Sequence, residues 1–458
     1  MFNTQFTIND TIVALSTPNG VGAIGIIRLS GPDAIVITNA VFRGKDLSKQ
    51  ASHTIHFGNL YDDKTLLDEV LVSLFVAPHS YTKENVVEIS THGSPFIIEN
   101  VIKLLIKHGA RAAKPGEFTL RAFLNGQLDL SQAEAVADLI ASNSIASHQV
   151  AMQQMRGGFS NELKLLREQL IHFASMIELE LDFSEEDVEF ANRSDLKALI
   201  YKINHAIHRL ILSFEQGNVM KNGVPIVIAG KPNVGKSTLL NALLNEDRAI
   251  VSEIPGTTRD TIEDEIIIGG IRFRFIDTAG IRDTEDQVEA LGVLRTHEKM
   301  KQAQLIIYLF DPIQSAEEIA KQMEQIELLN IPYIALMNKQ DLIDKDTKQK
   351  LLNANLDFMS AKKGEGVEAL KEAILNKLHL HQLNTSDVLV SNIRHLEALQ
   401  KTKESLDLVL QGINNAGVTS DFLAMDIKQA LYYLGEITGA VTTEDLLENI
   451  FSKFCIGK

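Results

Sequence analysis

Tryptophan is absent, and cysteine occurs once, as Cys455 near the C-terminal Lys458. A lone cysteine excludes an internal disulfide framework. No apolar run approaches the ~20 residues that a bilayer span needs, and Met1-Phe2-Asn3-Thr4 lacks the basic start and apolar segment of a secretory leader. These absences predict a soluble, cytoplasmic chain with no membrane partner. The 13 histidines show no HExxH-like spacing, which gives no zinc site. Positive charge is also short: 44 Lys and Arg face 60 Asp and Glu, a formal net charge of -16. A protein gripping nucleic acid along a broad face would be basic. If nucleic acid is handled at all, a local patch or a partner subunit must carry most of the phosphate contacts. Length is not lacking, and 458 residues leave room for about three domains, each with its own core.

The chain is organised around Pro225 to Asn241, PIVIAGKPNVGKSTLLN. An apolar strand leads into a turn from Gly230 to Gly235, then Lys236, Ser237, Thr238 and an apolar helical run. Gly, four residues, Gly-Lys-Ser between strand and helix is the pattern of a phosphate-cradling loop. Its glycines let backbone N–H groups of Asn233, Val234 and Gly235 face the phosphates at a helix N-terminus that favours anions. Lys236 would reach the outer phosphates, and the Ser237 hydroxyl would hold Mg²⁺. The loop Ser252, Glu253, Ile254, Pro255, Gly256, Thr257, Thr258 offers a second metal ligand in Thr258. Asp277-Thr278-Ala279-Gly280 follows the β-rich IRFRFI and puts Asp277 near the metal and Gly280 near the γ-phosphate. Asn338-Lys339-Gln340-Asp341 ends the apolar IPYIALM, and Ser360-Ala361-Lys362 completes a base pocket. The Asp341 carboxylate can accept both N–H donors on one edge of guanine, whereas adenine lacks the exocyclic amine. Five elements in this order predict a guanine-nucleotide domain that hydrolyses GTP.

Ile281 occupies the position after DTAG where many small GTPases carry a water-orienting glutamine, so another group must do that work. The carboxylate-rich RDTEDQVEALG follows. Arg259 and Arg282 read best as solvated switch charges, which leaves no evident arginine finger. Asn233 offers a side-chain carbonyl suited to a monovalent cation, and backbone carbonyls between Ser252 and Thr257 could complete its cage. Alternatively, Asn233 only braces the loop by hydrogen bonding.

Residues 1–118 read as a small α/β domain, with strands at Thr11–Leu15, Ile26–Leu29, Glu69–Val76 and Val86–Ile89 and a helix Pro95–His108 closed by Gly109. Arg28 and Glu88 interrupt apolar strands; either both face water on an open sheet face or they meet a ligand. From 119 to 216 the period becomes helical: Leu163, Leu166, Leu170, Phe173, Ile177 and Leu181, then Leu196, Leu199, Ile203, Leu210 and Phe214. The acidic run Leu179–Phe190 between them reads as a solvated connection. After the GTPase domain (217–379) helical spacing resumes over 380–451, from Leu389 and Ile393 to Leu434. One helical domain interrupted by an α/β domain is expected. The tail 452–458, with Phe454 beside Cys455, is apolar enough to dock.

PGTTRD and DTAGIR resemble the bacterial GTPase group that includes Era, Der and MnmE. TIVALSTPNGVGAIGIIRLSG, KPGEFTLRAFLNGQLDLSQAEAVADLI, the interrupted helical domain and the final FCIGK are similar to the MnmE (TrmE) family, essentially end to end. The resemblance implies the following. Such proteins join an FAD- and NADH-using partner, MnmG (GidA), in a heterotetramer. Together they place an aminomethyl or carboxymethylaminomethyl group on C5 of the wobble uridine of certain tRNAs. A 5,10-methylene-tetrahydrofolate supplies the carbon, and 5-formyl-tetrahydrofolate binds the same N-terminal domain, which also forms the homodimer. Folate contacts fall on Arg28, Glu88, Gln127 and Lys458. Gln127 departs from the family pattern, which has a cation there, and loses the charge. Glu289 becomes the residue orienting the attacking water. K⁺ is held through Asn233, Ser252, Ile254 and Thr257 as two GTPase domains close face to face. Cys455 lies near the folate pocket, as a nucleophile of lowered pKa or as a small docked hydrophobe. Two other readings stand beside this one: a regulatory or ribosome-assembly GTPase of the Era or Der type, and a stand-alone folate enzyme with a regulatory GTPase.

Overall fold

A computed structural model describes residues 9–182, 192–247, 264–276, 300–343, 356–378, 380, 388–414 and 420–457. Two compact units divide the chain: Met1–Ala137, Met155–Leu199 and Glu404–Lys458 form one, Asp138–Gln154 and Ile200–Lys403 the other.

The first unit holds a seven-stranded sheet ordered β3-β4-β5-β6-β2-β1-β7. Its strands are β1 Ile12–Leu15, β2 Ile24–Ser30, β3 Phe42–Arg43, β4 Thr54–Asp62, β5 Thr65–Phe75, β6 Val86–His92 and β7 Arg111–Ala112. All neighbours run antiparallel except β1 and β7. Period-2 alternation sends Val13, Ile27, Leu29, Val70, Val72, Val87 and Ile89 to one face. There they pack on α1 (Ala34–Val41) and α2 (Pro95–Lys107). Pro95 suits the first turn of α2, where its missing N–H costs nothing. Beyond α2, Gly109 takes the left-handed φ of +111°. The expected strands are present: β1 starts one residue later than expected, at Ile12, and β2, β5 and β6 are longer. Unforeseen β4 carries exposed Ile55 and Phe57, so its alternation does not look like a half-buried strand.

The strand residues between those core positions lie on the other face, where Arg28 and Glu88 are register partners. Water is not their main partner, contrary to the open-face reading; they form an ion pair at 2.8 Å with side chains only 17% and 25% exposed.

Helices complete this unit. Helix α3 (Glu117–Leu124) follows the sheet, and α4 (Leu130–Ala141) begins after it. In α6 (Gly158–Asp182) the predicted stripe Leu163, Leu166, Leu170 and Ile177 is buried. That helix packs along Ser420–Thr438. Within the acidic run, Glu180 is buried and accepts from Arg193 at 2.6 Å, while residues 183–190 lie outside the described residues. The helix Glu444–Phe451 leads into the tail. Phe451 and Phe454 sink into a cluster with Leu130, Ala133 and Leu447.

The second unit is a doubly wound, six-stranded sheet ordered β13-β12-β11-β8-β10-β9. Its strands are β8 Val224–Gly230, β9 Asp264–Ile268, β10 Ile271–Phe275, β11 Leu305–Phe310, β12 Tyr333–Met337 and β13 Asp357–Phe358. Only β9 and β10 pair antiparallel. Central β8 and β11 are apolar on both sides, as parallel strands covered by helices must be. Helix α5 (Ile145–Met155) contributes Ala146 and Val150 to this core. Leu389, expected in a helix, lies outside any helix, in the segment before Ile393–Asn414. There Gln154 donates to the Leu389 carbonyl at 3.3 Å, and the Val390 N–H donates to Ser213 Oγ at 3.1 Å. The expected domain boundaries 118/119 and 216/217 fall inside α3 and α8 (Phe214–Asn222).

Candidate nucleotide and folate sites

At the C-terminal edge of the parallel sheet, β8 ends in Gly230 (φ +144°), whose missing Cβ leaves room for the Leu309 carbonyl. The turn reaches α9 (Lys236–Asp247) through Asn233 and Gly235, both with positive φ (+61° and +104°). A Cβ on Gly235 would collide with the Asn338 amide. That amide donates from Nδ2 to the Val234 carbonyl at 2.8 Å, while Asn338 Oδ1 accepts from the Ala361 N–H at 3.0 Å. One buried side chain thus ties the phosphate loop to the base pocket.

Lys339, itself left-handed at φ +58°, donates from Nζ to the Asn233 carbonyl at 3.0 Å and pairs with Asp311 at 2.6 Å. Asp311 escaped the sequence reading. Its signal was a carboxylate directly after the buried strand LIIYLF, where ligands of open α/β sheets gather. Asp341 Oδ1 accepts from Ser360 Oγ at 2.8 Å. That bond holds the Asp341 carboxyl below its ordinary range against the opposing effect of desolvation, with Lys363 and Lys362 adding to the lowering. Lys236 donates from Nζ to the Gly230 and Lys231 carbonyls at 2.8 and 3.0 Å, and burial lowers its pKa.

Asn233, Val234, Gly235, Lys236, Asn338, Lys339, Asp341, Ser360 and Ala361 are therefore brought together. Ser237 and Thr238 are exposed in the first turn of α9, and Lys362 is exposed beside Ala361. Ser252, Glu253, Ile254, Pro255, Gly256, Thr257, Thr258, Asp277, Thr278, Ala279, Gly280, Glu289 and Lys458 lie outside the described residues, as do Arg259, Ile281 and Arg282. No group of three or more His, Cys, Asp or Glu side chains suited to a metal occurs among the described residues. A hydroxyl such as Ser237 beside a phosphate loop fits Mg²⁺ nonetheless, because that ion keeps most of its water and takes phosphate oxygens.

The Arg28–Glu88 pair sits on aromatic walls, with the guanidinium 5.5 Å from the Tyr81 ring centre and 5.7 Å from that of Phe118. The C-terminal tail closes over it. Arg28 Nη1 donates to the Gly457 carbonyl at 3.4 Å, and Ser16 Oγ donates to the same oxygen at 3.2 Å. The Gly116 N–H donates to the Cys455 carbonyl at 3.4 Å, leaving Cys455 exposed. Gln127 is not part of this cluster. It lines a separate cavity whose walls include neither Arg28 nor Glu88 nor the tail. Tyr81 and Phe118 could not be found by spacing, because they meet Arg28 only through packing. Among the described residues no helix is long and apolar enough to cross a membrane.

The family model of the MnmE helical domain matches residues 130–455, and that of the GTP-binding protein TrmE N-terminus matches residues 11–127. The chain is 58% identical over 451 residues to the tRNA modification GTPase MnmE of Cytophaga hutchinsonii, covering 98% of each. Against the protein of that name from Flavobacterium johnsoniae it is 55% identical over 463 residues, covering 98% of this chain and 99% of the other. Among solved structures, Era in complex with MgGDPNP and a fragment of 16S ribosomal RNA aligns at 27% identity with 40% of this chain and 66% of that chain. The TM-score of that alignment is 0.27.

Proposed function

We infer that this chain, which belongs to the MnmE family of tRNA modification GTPases, is the GTP-hydrolysing subunit of a wobble-uridine-modifying complex. The complex would install an aminomethyl or carboxymethylaminomethyl group at C5, with a tetrahydrofolate giving the one-carbon unit. Its FAD- and NADH-using partner would be MnmG, and the chain itself would act as a cytoplasmic homodimer. The observation that carries the GTPase reading is Asn338, bonded at once to Val234 of the phosphate loop and Ala361 of the base pocket.

For hydrolysis, backbone N–H groups of the loop receive the phosphates and Asp341 selects the base. On GTP binding the Lys236 ammonium exchanges its loop carbonyls for phosphate oxygens, a stronger charge-assisted contact. Bound Mg²⁺ and K⁺ would supply positive charge where the β–γ oxygens gain negative charge, an effect worth about 10³–10⁵ in rate when an arginine finger provides it. Ser237 and Thr258 would hold the first, and Asn233 with Ser252, Ile254 and Thr257 the second. Bracing of the loop falls to Lys339 on the Asn233 carbonyl and Asn338 on the Val234 carbonyl. The Asn233 side chain is not needed for that, which favours the cation role. Glu289 would orient the water in place of the glutamine that Ile281 replaces.

A folate reading of the N-terminal unit is supported by Arg28 and Glu88, a half-buried opposite pair under aromatic rings and beside the tail. Their two charges suit a ligand with both acceptor and N–H edges. Mass analysis of tRNA nucleosides from a strain lacking the protein tests the whole reading. Loss of the C5-modified wobble uridine is expected; intact modification would leave a regulatory GTPase of the Era type.

A further inference from the structure

Positive charge is scarce in this chain, yet one part of the second unit reverses the balance. Residues 200–223 and 388–403 carry six Lys and Arg against two Glu, whereas the whole chain has 44 Lys and Arg against 60 acids. The two stretches meet where the Val390 N–H donates to Ser213 Oγ at 3.1 Å. The first holds the later turns of α7 (Arg193–Leu212). One side of these turns, with Ile200, Ile203, Ile207 and Leu210, is fully buried. That fixes what points outward. Tyr201, His205, His208 and Leu212, spaced by four, three and four residues, form one exposed stripe, flanked on one side by exposed Lys202 and Arg209. No acid occurs from Ile200 to Leu212. Tyr201, Lys202, His205 and His208 have no hydrogen-bond or ion-pair partner among the described residues. Arg209 has a contact within the chain, and Lys221, further on, is answered by Asp138 at 2.7 Å.

A helix whose apolar side is already buried has no such side to offer a bilayer, so the outer face of α7 is a polar contact surface. Lys202 and Arg209 stand two turns apart, about 10 Å along the axis. One small anion cannot span that gap, whereas a polynucleotide strand supplies a run of phosphates across it. The three unpartnered rings lie beside these cations on the same face, and flat side chains are what unstacked RNA bases pack against. We propose that the outer face of α7, from Tyr201 to Leu212, is where this chain contacts the backbone of an RNA. Lys202 and Arg209 meet phosphates, and Tyr201, His205 and His208 lie along unpaired bases. That the RNA is a tRNA rests on the function inferred above; the contact itself rests on charge and spacing. The rest of a chain of net charge -16 repels the same backbone, which confines the strand to this face.

The test measures binding of the full-length protein to an unmodified tRNA transcript by fluorescence anisotropy over a salt series. Wild type should bind at low salt and release steeply as salt rises. Lys202→Gln, at an exposed position with no partner to lose, should lower the slope of log K against log salt by about one, the signature of a phosphate contact. Adding Arg209→Gln should lower it by about one more and weaken low-salt binding about tenfold or more. Tyr201→Ala should weaken binding about fivefold or more with the slope unchanged, as loss of stacking does. A control variant, Lys103→Gln with Lys107→Gln, removes two cations of α2 that are each paired with an acid and should leave affinity and slope near wild type. GTP hydrolysis should be the same in all of them. Absent tRNA binding by the wild type at low salt, an unchanged slope in Lys202→Gln, or an equal loss in the α2 control overturns the proposal. So does intact tRNA binding by the Lys202→Gln, Arg209→Gln protein combined with loss of the wobble modification in cells, which would make this face a docking site for a protein. Intact modification in a strain lacking the protein would instead sink the inferred function and leave the RNA contact at α7 standing.

Discussion

Asp341 can discriminate bases only as an acceptor, that is, in its ionised form. Because its pKa is lowered, first by the Ser360 hydrogen bond, that form persists as pH falls through the usual carboxylate range. Guanine preference should therefore survive mild acid and vanish only below it, as nucleotide-binding titrations against pH can follow. Asp341→Asn presents a donor instead and should favour xanthine over guanine nucleotides by about 10²-fold or more, the worth of two charged hydrogen bonds. Retained guanine selectivity would refute the base pocket. Asp311 acts one step back, holding Lys339 against the phosphate loop with only 16% of its side chain exposed. Asp311→Asn should raise the GDP dissociation rate about tenfold, since a partly buried ammonium loses its counter-ion. Asp311→Glu should restore part of that loss, with the melting temperature little changed.

At the scale of elements, the tail and the N-terminal sheet depend on each other. Gly457 has φ +94°, and a Cβ there would strike the Leu15 carbonyl. Gly457→Ala should undock the last residues while Phe454 stays buried, which carboxypeptidase digestion would show as faster release. Unchanged digestion would mean the tail is not held at Gly457. The start of α3 is pinned differently. Arg121, 1% exposed, meets Asp10 at 2.6 Å and both Glu84 and Glu117 at 3.2 Å. Removing it with Arg121→Met strands these carboxylates and should cost about 3–5 kcal/mol in denaturant unfolding. The same cluster sets acid stability. Asp10 is held below its ordinary pKa chiefly by a hydrogen bond from Arg111. Burial would raise Glu117, but bonds from Arg111 and the Lys114 N–H overcome it, so its pKa also falls. Carboxyls lowered on folding stabilise above their unfolded pKa, and that contribution disappears as pH drops through the folded values. Unfolding midpoints of the wild type should thus fall in acid, and more shallowly in Arg121→Met.

Over the whole molecule, a net charge of -16 opposes any close approach of two copies or of an RNA backbone. Cations should then matter twice, as general screening and as specific ligands. At equal ionic strength only the specific part distinguishes K⁺ from Na⁺. GTP hydrolysis should rise strongly in K⁺, and Asn233→Ala should lose that response yet still bind GTP. Equal turnover in the two salts would exclude a K⁺ site at Asn233.

The phosphate loop and the base-pocket motifs were legible in sequence because each is a contiguous run whose spacing alone dictates a turn and a helix start. The buried leucine stripe of α6 was legible for the same reason, through its period. Pairings between distant residues were not. Arg28 meets Glu88, 60 positions away, only because β2 and β6 share one register; a slip of one residue would have turned the pair to the opposite face. Asp311 and Lys339 meet because β11 and β12 lie side by side. The basic stretches 200–223 and 388–403, far apart along the chain, meet where the Val390 N–H bonds Ser213 Oγ. Local chemistry follows from the order of residues along the chain, whereas register and packing decide which charges are answered within the fold and which are left for a ligand.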